Sequence, residues 1–260
     1  MFIMKLKTKK IIFLTLIFIS IIVSTCYYFY NIKNIKNEIT VSNTLNEKYN
    51  KIAYLTFDDG PSKNTEKILN ILDKYNIKVT FFVVGPKCNF KDELLKKIVE
   101  SGHSLAIHSY THNYNDIYSS KENYLKDFYS CLEWIEEVTG IIPSIYRFPG
   151  GSSNTIASKT LIKDIIQELE TKGFHHADWN VDTLDSYVKN EPSKVISNAM
   201  TSLKRNENNK HYYQTILMHD DIYKPATIDA LPNLIEKIIA KGYRFKTLND
   251  NSHFIQHTKA

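Results

Sequence analysis

Ile52-Ala53-Tyr54-Leu55-Thr56-Phe57-Asp58-Asp59-Gly60-Pro61 decides how the rest of the chain reads. Its apolar run, Ile52 to Leu55, predicts a buried strand, and Gly60-Pro61 closes it as a turn. Two adjacent carboxylates stand where that strand stops. Successive strand residues face opposite sides, so Asp58 and Asp59 cannot share a task unless the chain re-aims one of them at the strand end. Such a pair can divide into one carboxylate for a metal and one for proton transfer. A solvated acidic turn is the plain alternative.

Further along, short apolar runs at 78–85, 104–108, 144–148, 176–181, 215–219 and 244–248 predict six more strands. Helical periodicity falls between them, at 64–75, 92–100, 124–138, 157–172, 194–204 and 228–241. Seven strands alternating with helices predict βα units around a parallel sheet buried on both faces. About 200 residues of this pattern suit an α/β fold of the irregular (β/α)7-type barrel kind, with its site at the C-terminal strand ends. The polar residues of interest fall at those ends: Asp58 and Asp59, His108 and His112, Arg147, Asp182 and Asp185, His219 and Asp220. His103 falls at the opposite rim and reads as structural. His108 and His112, four residues apart, can turn both rings to one side. With a carboxylate from another strand they form a set of two imidazoles and one carboxylate with open positions, the catalytic type of metal ligation. Two surface histidines are the alternative.

The 260 residues carry a net charge of +5. Residues 1–50 hold seven lysines and two glutamates, so the remainder is balanced and gives no case for a nucleic-acid partner. Lys5, Lys7, Lys9 and Lys10 precede an uncharged apolar run over 11–30. At about 1.5 Å per residue it spans roughly 30 Å, a bilayer's hydrocarbon thickness. The lysines predict a cytoplasmic N-terminus and a single-pass membrane anchor with the rest of the chain outside the cell. A lipoprotein and a cleaved, secreted form are the alternatives. Residues 31–50 are polar and read as a linker, 51–250 as the domain and 251–260 as a tail. Cys26, Cys88 and Cys131 form neither a disulfide framework nor a CxxC metal pair.

Thr56-Phe57-Asp58-Asp59-Gly60, His108-Ser109-x-x-His112, Arg147-Phe148-Pro149-Gly150-Gly151, Asp182-x-x-Asp185 and Leu217-Met218-His219 resemble, in order, the five motifs of the polysaccharide deacetylases. That family is carbohydrate esterase family 4, with the NodB-homology domain, and the resemblance runs from about 51 to 248. It implies that Asp59, His108 and His112 hold a divalent metal, Zn2+ first, with Co2+, Mn2+ or Ni2+ as alternatives. It implies Asp58 as general base, Arg147 as its partner, and the Gly150 N–H as donor to a tetrahedral oxyanion. His219 is then the general acid, oriented by Asp185. The fourth motif departs from the family: Ser186 stands where a groove Trp is usual. Trp179 or Tyr187 can supply that wall, beside Pro149 and Leu217. Gly150 likewise replaces a bulkier residue. The expected substrate is an extracellular N-acetylated glycan, peptidoglycan N-acetylglucosamine before muramic acid, poly-N-acetylglucosamine or chitin oligomers. A non-catalytic glycan-binding module is the reading from another class.

Overall fold

In Ile52–Asp58, strand β1, all seven residues are buried, and its side chains alternate strictly between two environments. Ala53, Leu55 and Phe57 join the main core under the helices, whereas Ile52 and Tyr54 join a smaller cluster with Phe82, Ala106, Ile145 and Ala177. The computed structural model describes residues 51–85 and 90–260, and of the first fifty only Ser24, Thr25 and Tyr27. Lys51–Ala260 form one compact unit.

After β1 come α1 (Lys63–Tyr75), β2 (Thr80–Val84), α2 (Phe90–Glu100) and β3 (Ser104–Ser109). Then follow α3 (Tyr114–Ile117), α4 (Lys121–Thr139), β4 (Ile145–Tyr146), α5 (Lys159–Glu170) and β5 (His175–His176). The chain ends with β6 (Val181–Asp182), α6 (Pro192–Asn208), β7 (Tyr213–His219), α7 (Pro225–Ala240) and β8 (Arg244–Phe245). Every described strand pair is parallel, in the order β5-β4-β3-β2-β1-β7-β6, with β8 on the start of β1. This is the expected α/β barrel-like architecture, a curled sheet under helices.

Local chemistry sets the helix ends. Ser62 opens α1 with a capping box, its hydroxyl accepting from Asn64 N while Thr65 Oγ1 accepts from Ser62 N. Ser120 caps α4 a turn earlier than the apolar periodicity indicates, and Gly140 at φ 71° closes it. The short α3 is too brief for periodicity to announce.

The expected single strand at 176–181 is instead two strands at opposite edges of the sheet. His175 and His176 pair with β4, while Val181 and Asp182 pair with β7. Residues 177–180 cross between the edges, Ala177 N donating to Tyr146 O and Asn180 N to Thr215 O. A twisted sheet turns its edges apart, so one straight strand cannot satisfy both. The stretch read as a tail bonds at this crossing, where Asp178 N donates to Ile255 O.

Among the described residues no helix is long and apolar enough to cross a membrane. The expected anchor at 11–30 lies outside the described residues apart from Ser24, Thr25 and Tyr27, as do the linker, Cys26 and Cys88. Cys131 is buried as a free thiol. His103 is buried at the far rim, where its Nδ1 accepts from Val79 N.

Leu55 sits fully buried in the central strand. Leu55→Ala should cost about 2–5 kcal/mol, read as a lower urea midpoint with an unchanged denaturant slope.

Candidate active site

The inward-facing column of β1 runs Ile52, Tyr54, Thr56, Asp58, so the interior turns polar toward the C-terminal end of the sheet. Its neighbours repeat the change: Ala106 gives way to His108 on β3, Ile145 to Arg147 after β4, and Leu217 to His219 on β7. Register makes Asp58 and His219 direct partners across β1 and β7. The site is thus the top layer of the barrel interior.

Arg147 is fully buried, and Asp58 nearly so. Arg147 Nη1 donates to Asp58 Oδ1 at 2.7 Å and to Thr56 Oγ1 at 2.9 Å. Nε donates to Ala177 O at 2.7 Å and Nη2 to Asp178 O at 3.1 Å, while the Phe82 ring lies 4.0 Å from the guanidinium. Burial lifts the Asp58 pKa above the ordinary carboxylate value, and Arg147 opposes that rise without cancelling it.

Asp59 leaves the strand at φ 77°, a left-handed turn that carries its carboxylate back over the sheet end. Its Oδ1 lies 3.2 Å from His112 Nε2 and 3.5 Å from His108 Nε2, and these three potential ligand atoms lie within 4.8 Å of one another. His108 Nδ1 donates to Arg147 O at 2.9 Å, which turns the Nε2 lone pair toward Asp59. Burial, then the nearby His112, depresses the His108 pKa to about 3, keeping the imidazole neutral. The buried Asp59 Oδ1 has no hydrogen-bond partner. Two imidazole nitrogens and an orphaned carboxylate oxygen fit a divalent ion of the Zn2+ type.

Asp127 on α4 holds the turn that presents His112. Its carboxylate accepts from Ser109 Oγ, Tyr110 N, Thr111 N and Thr111 Oγ1, all at 2.6–2.8 Å. Ser109 Oγ in turn accepts from His112 N. His219 Nδ1 donates to Asp185 Oδ1 at 2.7 Å, and its N–H to Asp185 Oδ2 at 2.8 Å. Burial alone would depress the His219 pKa, but the bond and charge of Asp185 raise it to about 9. Asp185 also starts from a burial penalty and ends below its ordinary value through His219 and Thr227.

Asp58, Asp59, His108, His112 and His219 line one cavity of about 380 Å3. Gly150, Leu217, Trp179 and Tyr187 line it too, together with Tyr114, Asp182 and Ser186. Gly150 adopts φ 77°. Among the described residues nothing accepts from its N–H. Pro149 does not line the cavity; its carbonyl accepts from Tyr118 OH at 2.7 Å.

Sequence reasoning misses Asp127, Tyr114 and Asp178, and it gives Asp220 no role. Asp220 is fully buried, accepts from Thr65 Oγ1, and occupies the space a side chain at Gly60 would need: a Cβ there would lie 2.1 Å from its Oδ2. The apparent turn glycine of the first motif is therefore also a packing requirement. An acid on a helix face, such as Asp127, carries no signal that separates it from a solvated one.

A family model for polysaccharide deacetylase matches residues 46–166. A peptidoglycan-N-acetylglucosamine deacetylase of Bacillus cereus is 31% identical over 220 residues, 83% of this chain and 76% of that protein. The catalytic domain of a peptidoglycan N-acetylglucosamine deacetylase from Eubacterium rectale superposes with a TM-score of 0.73 at 35% identity, covering 80% of this chain and 93% of that one. The polysaccharide deacetylase Bc1974 of Bacillus cereus gives a TM-score of 0.69 at 30% identity, over 79% and 96%. By sequence and by fold together, this chain belongs to the polysaccharide deacetylase family, the NodB-type carbohydrate esterases of family 4, and is a deacetylase hydrolase.

Proposed function

We propose that this chain is a metal-dependent N-deacetylase that removes acetyl groups from N-acetylglucosamine of peptidoglycan, outside the cell. The observation that carries the chemistry is the orphaned Asp59 oxygen between two imidazoles, in one cavity with Asp58 and His219. The names of two relatives support the sugar. The lysine cluster and the apolar run at 11–30 support a membrane anchor, with the polar 31–50 as tether and 51–250 as the catalytic domain.

Asp59, His108 and His112 would hold the ion, Zn2+ first among the candidates. What a divalent ion supplies there is Lewis acidity toward water and an acetyl carbonyl. Asp58 spends Oδ1 on Arg147, which leaves Oδ2 to take a proton from the attacking water. The water oxygen adds to the acetyl carbon, and the Gly150 N–H donates to the oxygen that gains charge. His219, protonated through Asp185, gives its proton to the amide nitrogen as the C–N bond breaks, leaving acetate and a free amine. Trp179, Tyr187 and Leu217 wall the sugar.

Acetate release from N-acetylated peptidoglycan tests this reading. A chelator should abolish release and Zn2+ restore it; full release in chelator overturns it. Asp58→Asn should keep the metal and lose about 10^3-fold in kcat, whereas His112→Ala should lose the metal. A wild-type domain that binds glycan but releases no acetate with any metal would mark a binding module. Mass analysis of the muropeptides assigns the lost acetyl group to glucosamine or muramic acid.

The His219–Asp185 pair also couples stability to pH. His219 is raised in the fold from 6.5 to about 9, so its contribution is complete below pH 6.5 and disappears as pH rises through about 9. Thermal melts should show wild type losing stability over that window relative to Asp185→Asn, in which the slope flattens. Parallel slopes would refute the coupling.

A further inference from the structure

Asp178 lies under the rim of the site, 1% exposed, and every polar atom it has is bonded. Its N–H donates to Ile255 O at 2.7 Å, and its carbonyl accepts from Arg147 Nη2. Oδ1 accepts from Ser152 N at 2.8 Å; Oδ2 accepts from Ser152 Oγ at 2.5 Å and His257 N at 2.7 Å. One residue thus ties the C-terminal stretch to the Gly150-Gly151-Ser152 turn and to the arginine that holds Asp58.

The C-terminal stretch continues that contact. Thr258 N donates to Ser152 Oγ at 2.9 Å, and Thr258 Oγ1 donates to Ser152 O at 2.8 Å. His257 Nε2 donates to Trp179 O at 2.7 Å, and its ring packs edge-on against the indole at 5.2 Å. That indole lines the cavity and presses on Gly151, where a Cβ would lie 2.8 Å from it. Phe254 stacks on His175 and anchors the start of the run.

We propose that residues 254–258 are a strap that, through Asp178 and Ser152, positions the Gly150 N–H and the Trp179 wall for turnover. Asp178 is then a positioning residue: it touches neither substrate nor reacting atoms. The physical reason is the turn itself. Gly150 and Gly151 both have positive φ, and glycine pairs restrain their own backbone least, so the aim of the Gly150 N–H is set from outside. Loss of a positioned oxyanion donor costs about 10^2–10^3 in rate, and loosening one costs part of that. The inference rests on the deacetylase reading of the site.

The test uses the full chain with metal bound, comparing wild type with Asp178→Asn, Ser152→Ala and Thr258→Val. The last two delete hydroxyl hydrogen bonds at side chains away from the cavity, so they remain informative if Asp178→Asn does not fold. Amide hydrogen exchange over 148–153 should accelerate, kcat should fall about tenfold for Asp178→Asn and a few-fold for the others, and KM and bound metal should stay within about twofold. Faster exchange with kcat unchanged in all three makes the cluster merely structural and overturns the proposal, as does unchanged exchange. Absence of acetate release by wild type would instead sink the deacetylase reading, while the exchange data still decide whether the strap holds the turn.

Discussion

Burying a guanidinium is tolerated only where its donors are satisfied and its charge is matched, since a stranded charge in a protein interior costs several kcal/mol. Arg147 meets that condition with Asp58, Thr56, two carbonyls of the crossing segment and the Phe82 ring. Those partners come from β1, β2 and the link between β5 and β6. The pair therefore fixes the relative placement of strands that share no loop, and the Asp58 carboxylate is fixed with them. The same burial raises the Asp58 pKa, so the strongest constraint on the fold also shifts the titration of the carboxylate it holds.

Around that pair, the backbone is repeatedly held where side-chain-bearing residues are uncomfortable. Asp59 at φ 77°, His112 at 55° and Leu184 at 54° stand at or beside groups that line the cavity. Positions of this kind cost of order 1–3 kcal/mol each and persist only when neighbours over-determine them. The neighbours are visible. Asp127 restrains the turn before His112 with four bonds, the Asp182 carboxylate accepts from Leu184 N, and Asp220 fills the space beneath Gly60. Each is an acid whose work is mechanical: it accepts backbone or hydroxyl hydrogens, or fills space, so that another side chain points correctly.

What can be read from the residues follows from period. Strands buried on both faces appear as continuous apolar runs, and the point where such a run turns polar marks the sheet end. Asp58, His108, Arg147 and His219 are legible that way, and the structure gathers them in one layer. The split at 176–181 is hidden because two-residue strands take their identity from the edges they meet, not from their own side chains. The role of 254–258 is equally hidden: a polar stretch with no periodicity looks the same whether it is solvated or bonded to Asp178 and Ser152.

The third-motif turn and the aromatic wall of the cavity meet at Gly151. Ser186 carries no aromatic ring, and the wall comes instead from Trp179, on the segment that crosses from β5 to β6. An indole can lie there only because Gly151 has no side chain, its missing Cβ being 2.8 Å from the ring. Gly150, left-handed and in ordinary contact distance of Tyr114, opens the other side of the same turn. A side chain at 151 would therefore expel the indole, whereas one at 150 would meet only Asn154 and Tyr114. With Tyr187 standing 85% exposed at the mouth, the cavity keeps aromatic faces to lie against a sugar while its rim stays open. An open rim suits a polymer that enters sideways.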